Sequence, residues 1–278
     1  MDYRNETEIW VFHLKRGGGH AVLNWLARTA ACPVFHLNNV FSKPFKVRLR
    51  QEKVFRAITH PTPRDGPKKR RVYGFDLDPT LGWREVAAMH KEVLMCNVEN
   101  FRLDRIESEP LLSGRAEEII GRSHHRKTVL VLRDAFNTFA SVRKGKRRMR
   151  ARLGGFYRHH WKDYAREFLG ETTFLPADTI KISYNQWFSD QDYRREIAEK
   201  CDFSFSDQGL GEMSVDGGGS SFTGQRFKNK VRDMDVLGRW RHFMDDETYL
   251  GAFDDETIEL SNRIFGDVTG GEIKSGRV

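Results

Sequence analysis

Short unbroken apolar runs alternate along this chain with longer stretches in which apolar residues return every third or fourth position. Glu8–Leu14 and Lys127–Leu132 are of the first kind. Runs of that length without polar alternation predict strands buried on both faces. Pro33–Leu37 and Glu92–Val98 read the same way, as shorter strands. Helical spacing marks Ala21–Ala27, the stretch from Ala135 onward, Phe156–Leu169, Tyr193–Cys201, and the regions around Val236–Phe243 and Asp254–Phe265. Trp83–Lys91 has weaker helical periodicity, and Glu107–Arg122 is helical in character. Within Phe156–Leu169, Trp161, Tyr164, Ala165 and Phe168 fall on one face and read as core. Strands alternating with helices predict an α/β fold: a single domain over residues 1–278, with a central parallel sheet flanked by helices.

Both strong strands lead into segments suited to an anion. After the first comes Lys15-Arg16-Gly17-Gly18-Gly19-His20, then the helix opened by Ala21. In a strand, glycine turn and helix, the backbone can approach a phosphate closely, and free N–H groups and the helix dipole favour negative charge. The loop lacks the spacing of a nucleotide-binding Walker A motif and of a dinucleotide fingerprint. After the second strand, Arg133 occupies the carboxyl end, where open α/β sheets place ligands. Asp134 stands at an N-cap position, and Ser141 follows about two turns into the helix. A guanidinium fork and a hydroxyl on two rigid elements suit one phosphate group.

Together these segments resemble the sulfotransferases that use 3'-phosphoadenosine 5'-phosphosulfate (PAPS), of the soluble type. In that family the first loop, Lys or Arg followed by Ser-Gly-Thr-Thr, holds the 5'-phosphosulfate. Here Arg16 stands for the cation, while Gly17, Gly19 and His20 replace the hydroxyl residues. The family's Arg and later Ser on the 3'-phosphate are matched by Arg133 and Ser141. A third segment, Thr179 to Trp187, is similar to the family's strand ending in Tyr-Glu-Asp; Tyr184 matches, and Asn185 and Gln186 replace the acidic pair. The resemblance implies a P-loop-NTPase-like sulfotransferase fold, PAPS as co-substrate with adenosine 3',5'-bisphosphate (PAP) as product, and no metal. It places Lys15, Arg16, Gly17, Gly18, Gly19, His20, Ala21, Arg133, Ser141 and Tyr184 on the donor.

The same resemblance implies in-line transfer to a hydroxyl or amine, with Arg16 on the departing oxygen and a histidine or glutamate base lying between the two phosphate motifs. Glu99 follows a strand end and is the first choice; His36 and His60 are the others. Family members also bring a late segment back to the nucleotide, and the glycine-rich loop around Ser221, with Arg226, is the candidate. Trp240 reads as packing.

Basic stretches at 41–72 and 143–155 read as excursions that shape an acceptor site or a flap. The second has seven cations between Arg143 and Arg152. Net charge is +8, with 47 Lys and Arg against 39 Asp and Glu, and the pI is about 9.4. Such a balance supports a polyanionic ligand, nucleic acid or an anionic surface without choosing among them. A small-molecule or glycan acceptor is expected, with a nucleotide kinase or a basic nucleic-acid-binding protein as alternatives. The missing Walker residues speak against the kinase. The lack of a recognition motif, and of aromatics interleaved with the basic runs, speaks against nucleic acid. Cys32, Cys96 and Cys201 form neither a disulfide framework nor a zinc pattern, and no His/Asp/Glu cluster has metal-ligand spacing. With no membrane-length apolar run and no signal peptide at the start, a cytoplasmic location is expected.

Overall fold

The computed structural model describes residues 3–32, 34–37, 88–107, 117, 121–145, 150–207, 209–210, 222 and 234–274. Five strands form one sheet: β1 (Tyr3–His13), β2 (Val34–Leu37), β3 (Lys91–Glu99), β4 (Arg122–Leu132) and β5 (Ile180–Ser183). Their order is β2-β3-β1-β4-β5, and every pairing is parallel. The parallel α/β expectation therefore holds. β1 lies at the centre, where the strand order reverses direction, and this is where open sheets of this type bind ligands.

Two apolar layers cover the sheet. Ile9, Val11, Val129 and Val131 face α1 (Gly19–Thr29), while Trp10, Phe12, Leu130 and Leu132 face α2 (Ala135–Arg143) and α3 (Arg158–Leu169). Burial on both faces explains the continuous apolar runs. One carboxylate, Glu8, sits fully buried in β1, compensated by Trp10 Nε1, Ser123 Oγ and Arg126 Nε at 3.1 Å. Further helices are α4 (Tyr184–Ser189), α5 (Gln191–Lys200), α6 (Glu247–Leu250) and α7 (Asp255–Phe265).

Several boundaries differ from the sequence reading. Lys91 opens β3 rather than closing a helix, and Arg122 opens β4, so no helix runs through either residue. Tyr184 starts α4 because Ser183 caps that helix by accepting from the Gln186 N–H. The region of Val236–Phe243 is helical only as a 3-10 turn at Arg239–Phe243. A π turn, Leu153–Tyr157, precedes α3. The remainder of the expected 107–122 helix, all of the 41–72 excursion, His60, Ser221 and Arg226 lie outside the described residues. Among the described residues, no helix is long and apolar enough to cross a membrane.

Candidate active site

Register brings the chemistry to one edge of the sheet. His13 pairs with Glu99 of β3 on one side and with Val131 of β4 on the other, so the ends of the three central strands are level. Arg133 follows immediately after β4.

The glycine loop leaves β1 in a tight turn, with Gly17 N–H donating to Leu14 O at 2.9 Å. Arg16 and Gly18 both adopt positive φ, 72° and 88°. Gly18 is the N-cap of α1 and carries no side-chain acceptor, so the N–H groups opening that helix remain for an anion. Ala21 is not among them: its N–H donates to Gly18 O at 2.9 Å, which corrects its placement as a donor ligand. Glycine is required here by contact. A Cβ on Gly18 would lie 2.2 Å from the Tyr184 ring, and one on Gly19 would lie 2.1 Å from the His13 ring.

On the other side, Ser141 is held between two guanidiniums. Its hydroxyl donates to Asn137 O (2.9 Å) and accepts from Arg133 Nη1 (3.3 Å) and Arg239 Nη1 (3.1 Å). Arg133 also donates to Val236 O, and its own carbonyl accepts from Trp161 Nε1 at 2.9 Å. Asn137 is the local anchor. Asp134 accepts its backbone N–H, as the N-cap reading expects, and the Asn137 amide donates to Leu237 O, tying the late segment to α2. Burial pushes the Arg133 guanidinium below its ordinary value. Burial, reinforced by the positive charges of Arg133 and Arg16, brings Arg239 down to about 9, so it still carries its charge at neutral pH. Three guanidiniums thus converge, and Nε of both Arg16 and Arg133 is buried without a hydrogen-bond partner among the described residues. Unsatisfied buried donors of one charge point to an anionic ligand.

Tyr184 joins the two halves. Its ring is 5% exposed, presses on Gly18, stacks toward Phe188 and Trp187, and has the Arg133 guanidinium 5.3 Å from its centroid. Loop and arginine therefore share one wall.

A third group surrounds Glu99, which sits 3.4 Å from Lys15 Nζ and 3.5 Å from His20 Nε2. Burial would raise its carboxyl, but the His20 hydrogen bond and the charges of His13, Lys15 and His20 outweigh that and hold it at about 2. His13, 1% exposed, is lowered to about 4 by burial and by His20, and its Nε2 lies 2.6 Å from Asn97 Oδ1. Lys15 N–H donates to Asn100 Oδ1 at 2.7 Å. Tyr157, at the end of the π turn, is raised by burial and by Glu99, with Arg16, Arg152 and a hydrogen bond to Asn100 opposing. His13, His20 and Glu99 bring ligating atoms within 4.8 Å of one another, a grouping that sequence spacing does not reveal. Lys15 and Arg16 beside them disfavour a divalent cation there.

Of the other sequence candidates, His36 lies in β2 level with Met95, four residues below Glu99, or roughly 13 Å along the strand. Ser221 is not described, but its neighbour Phe222 has the Arg239 guanidinium 5.0 Å from its ring centroid. Arg239, His13 and Tyr157 were not singled out from sequence. Only the expectation of a late basic segment pointed toward Arg239.

No family model matches the chain, and no curated protein matches it. Solved structures do. The sulfotransferase domain from the Synechococcus PCC 7002 olefin synthase aligns over 96% of this chain and 97% of its own, at 14% identity and a TM-score of 0.51. The sulfotransferase domain from the curacin biosynthetic pathway aligns over 93% and 97%, at 14% identity and a TM-score of 0.53. The chain thus shares the fold of these sulfotransferase domains over nearly its whole length.

Proposed function

We propose that the chain is a PAPS-dependent sulfotransferase, and that the arginine pair sharing the Ser141 hydroxyl is where the donor's 3'-phosphate binds. The observation that carries this reading is the continuity of one anion site, from the uncapped start of α1, past Tyr184, to Arg133, Ser141 and Arg239. A bisphosphorylated nucleotide places anionic groups at both of its ends, as this site requires. Arg239 takes the part that the sequence reading gave to Ser221 and Arg226.

In the reaction, the acceptor oxygen or nitrogen attacks sulfur while the bond from sulfur to the phosphate oxygen breaks. PAP then leaves with the electron pair. The protein's work is to position the groups and to neutralise charge. Lys15, Arg16 and the N–H groups of Gly18, Gly19 and His20 face the phosphosulfate, and Arg16 stabilises the departing oxygen. The acceptor enters past the π turn, where a Cβ on Gly154 or Gly155 would meet nothing within 4 Å and Arg152 lies over the Phe156 ring at 4.8 Å. These features favour a small molecule or glycan with an anionic group.

Calorimetry with PAP tests the reading. Arg133→Ala removes a charge-assisted partner and is expected to weaken PAP binding by roughly 30- to 100-fold. Unchanged affinity, or thermal stabilisation of the wild type by Mg-ATP and not by PAP, refutes it.

A further inference from the structure

We propose that His20 is the base that takes the acceptor's proton, and that Glu99 is a positioning residue acting through it. The proposal deepens the sulfotransferase reading and rests on it.

A base must hold a lone pair at working pH, be matched to that pH, and have that lone pair uncommitted. Five groups of the described residues meet at the ends of β1 and β3 and the neighbouring π turn: His13, Lys15, His20, Glu99 and Tyr157. Glu99, held at about 2, is a poor base near neutrality, and its two oxygens face Lys15 and His20. His13 is 1% exposed, and its two nitrogens face Asn97 Oδ1 and Leu14 O. Lys15 is a cation paired with Glu99, and Tyr157 is a phenol raised further by burial. His36 lies well below the strand ends.

His20 differs from all of these. It stands in the first turn of α1, directly after the glycines, with its side chain 22% exposed. Its Nε2 faces the Glu99 carboxylate. A neutral ring in that position carries its proton on Nε2, and the lone pair is then left on Nδ1. Nδ1 is buried and has no hydrogen-bond partner among the described residues. A buried polar atom without a partner calls for one, and the acceptor's hydroxyl supplies it. The His13 ring, 5.4 Å away and edge-on, walls off the other side.

The step balances. The acceptor's O–S bond forms, the S–O bond to the phosphate breaks with its electron pair on that oxygen, and the acceptor proton passes to Nδ1. The resulting imidazolium faces Glu99, which Lys15 also pairs with. Solvent then takes the proton.

The test uses His20→Gln and Glu99→Gln in the full chain, with Arg133→Ala as the control for the donor site. Thermal unfolding checks each variant. Turnover is followed with sulfur-labelled PAPS, using a panel of hydroxyl and amine acceptors and water itself. His20→Gln is expected to keep PAP affinity within about threefold while turnover falls roughly 100-fold or more and the acid limb of the pH–rate profile disappears. Glu99→Gln is expected to keep that limb while turnover falls, because the ring loses the carboxylate that orients it. Nitrogen NMR of the wild type with PAP bound should show Nε2 protonated and Nδ1 bare in the neutral ring. The proposal is overturned if His20→Gln turns over within about threefold of the wild type. It is equally overturned if that variant loses PAP binding, if the limb vanishes in Glu99→Gln alone, or if Nδ1 carries the proton. If the wild type fails to bind PAP, or Arg133→Ala binds it unchanged, the donor assignment fails instead, and the NMR result still decides the state of His20.

Discussion

Replacing Gly18 with alanine probes whether the phosphate loop and the Arg133 side form one site. Gly18 has φ of +88°, and its added methyl would lie 2.2 Å and 2.3 Å from Cε2 and Cδ2 of Tyr184. Holding a non-glycine residue in the left-handed region costs roughly 1–2 kcal/mol. Carbon atoms in contact sit about 3.5–4.0 Å apart, so the ring must move by more than about 1 Å. Tyr184 is packed against Trp187 and Phe188, and forcing such a ring out costs roughly 1–3 kcal/mol more. The expected loss of roughly 2–5 kcal/mol corresponds to a fall in Tm of roughly 3–9 °C for a domain of this size. A second background separates the two contributions. With Tyr184→Ala the obstruction is gone, and Gly18→Ala should then cost only its backbone share of roughly 1–2 kcal/mol. Differential scanning calorimetry of the four proteins measures this coupling directly. If Gly18→Ala costs the same with and without the ring, Tyr184 does not fill the space above the loop, and the continuity on which the donor site rests is lost.

Three other outcomes are expected. Arg239→Gln should weaken PAP by roughly 10- to 100-fold in calorimetry yet leave 5'-AMP, which lacks the 3'-phosphate, unaffected; equal losses for both would remove Arg239 from the 3' side. The same variant without ligand should be no less thermally stable than the wild type, because it relieves a buried like charge beside Arg133. Glu99 has its folded value depressed from 4.5 to about 2. Its contribution is therefore fully present above about pH 5 and lost as the pH falls through 2, an amount of roughly 3 kcal/mol at 1.36 kcal/mol per pH unit. Urea titrations of Glu99→Gln should show a shallower loss of stability across that window, and parallel acid curves would contradict the pairing with His20 and Lys15.

What was readable in the sequence was local. Lys127–Leu132 betrays a doubly covered strand because no polar residue interrupts it, and Asp134 does cap the helix that follows. Arg133 and Ser141 meet because eight residues are about two helical turns, a relation carried by a single βα unit. Arg239 is another matter. It reaches Ser141 from 98 positions away, through an Asn137 amide that anchors Leu237, and no periodicity encodes such a meeting. His13 was hidden for a similar reason. As the last residue of β1 it looks like strand, and only the parallel register with β3 sets it beside Glu99. Tyr184 was placed on the donor from resemblance; its role as a wall between loop and arginine depends on α4 beginning where the strand was expected to continue.

The crowding at Gly19 has a consequence for how this loop can vary. A side chain at residue 19 and an imidazole at residue 13 compete for one volume, with carbon positions only 2.1 Å apart. A hydroxyl-bearing side chain at residue 19 is therefore barred by steric exclusion, whatever its merit for holding an anion. The two positions should interchange as a set: variants with threonine at 19 will need something small at 13, and a library randomised at both sites should recover one bulky partner at a time and never two.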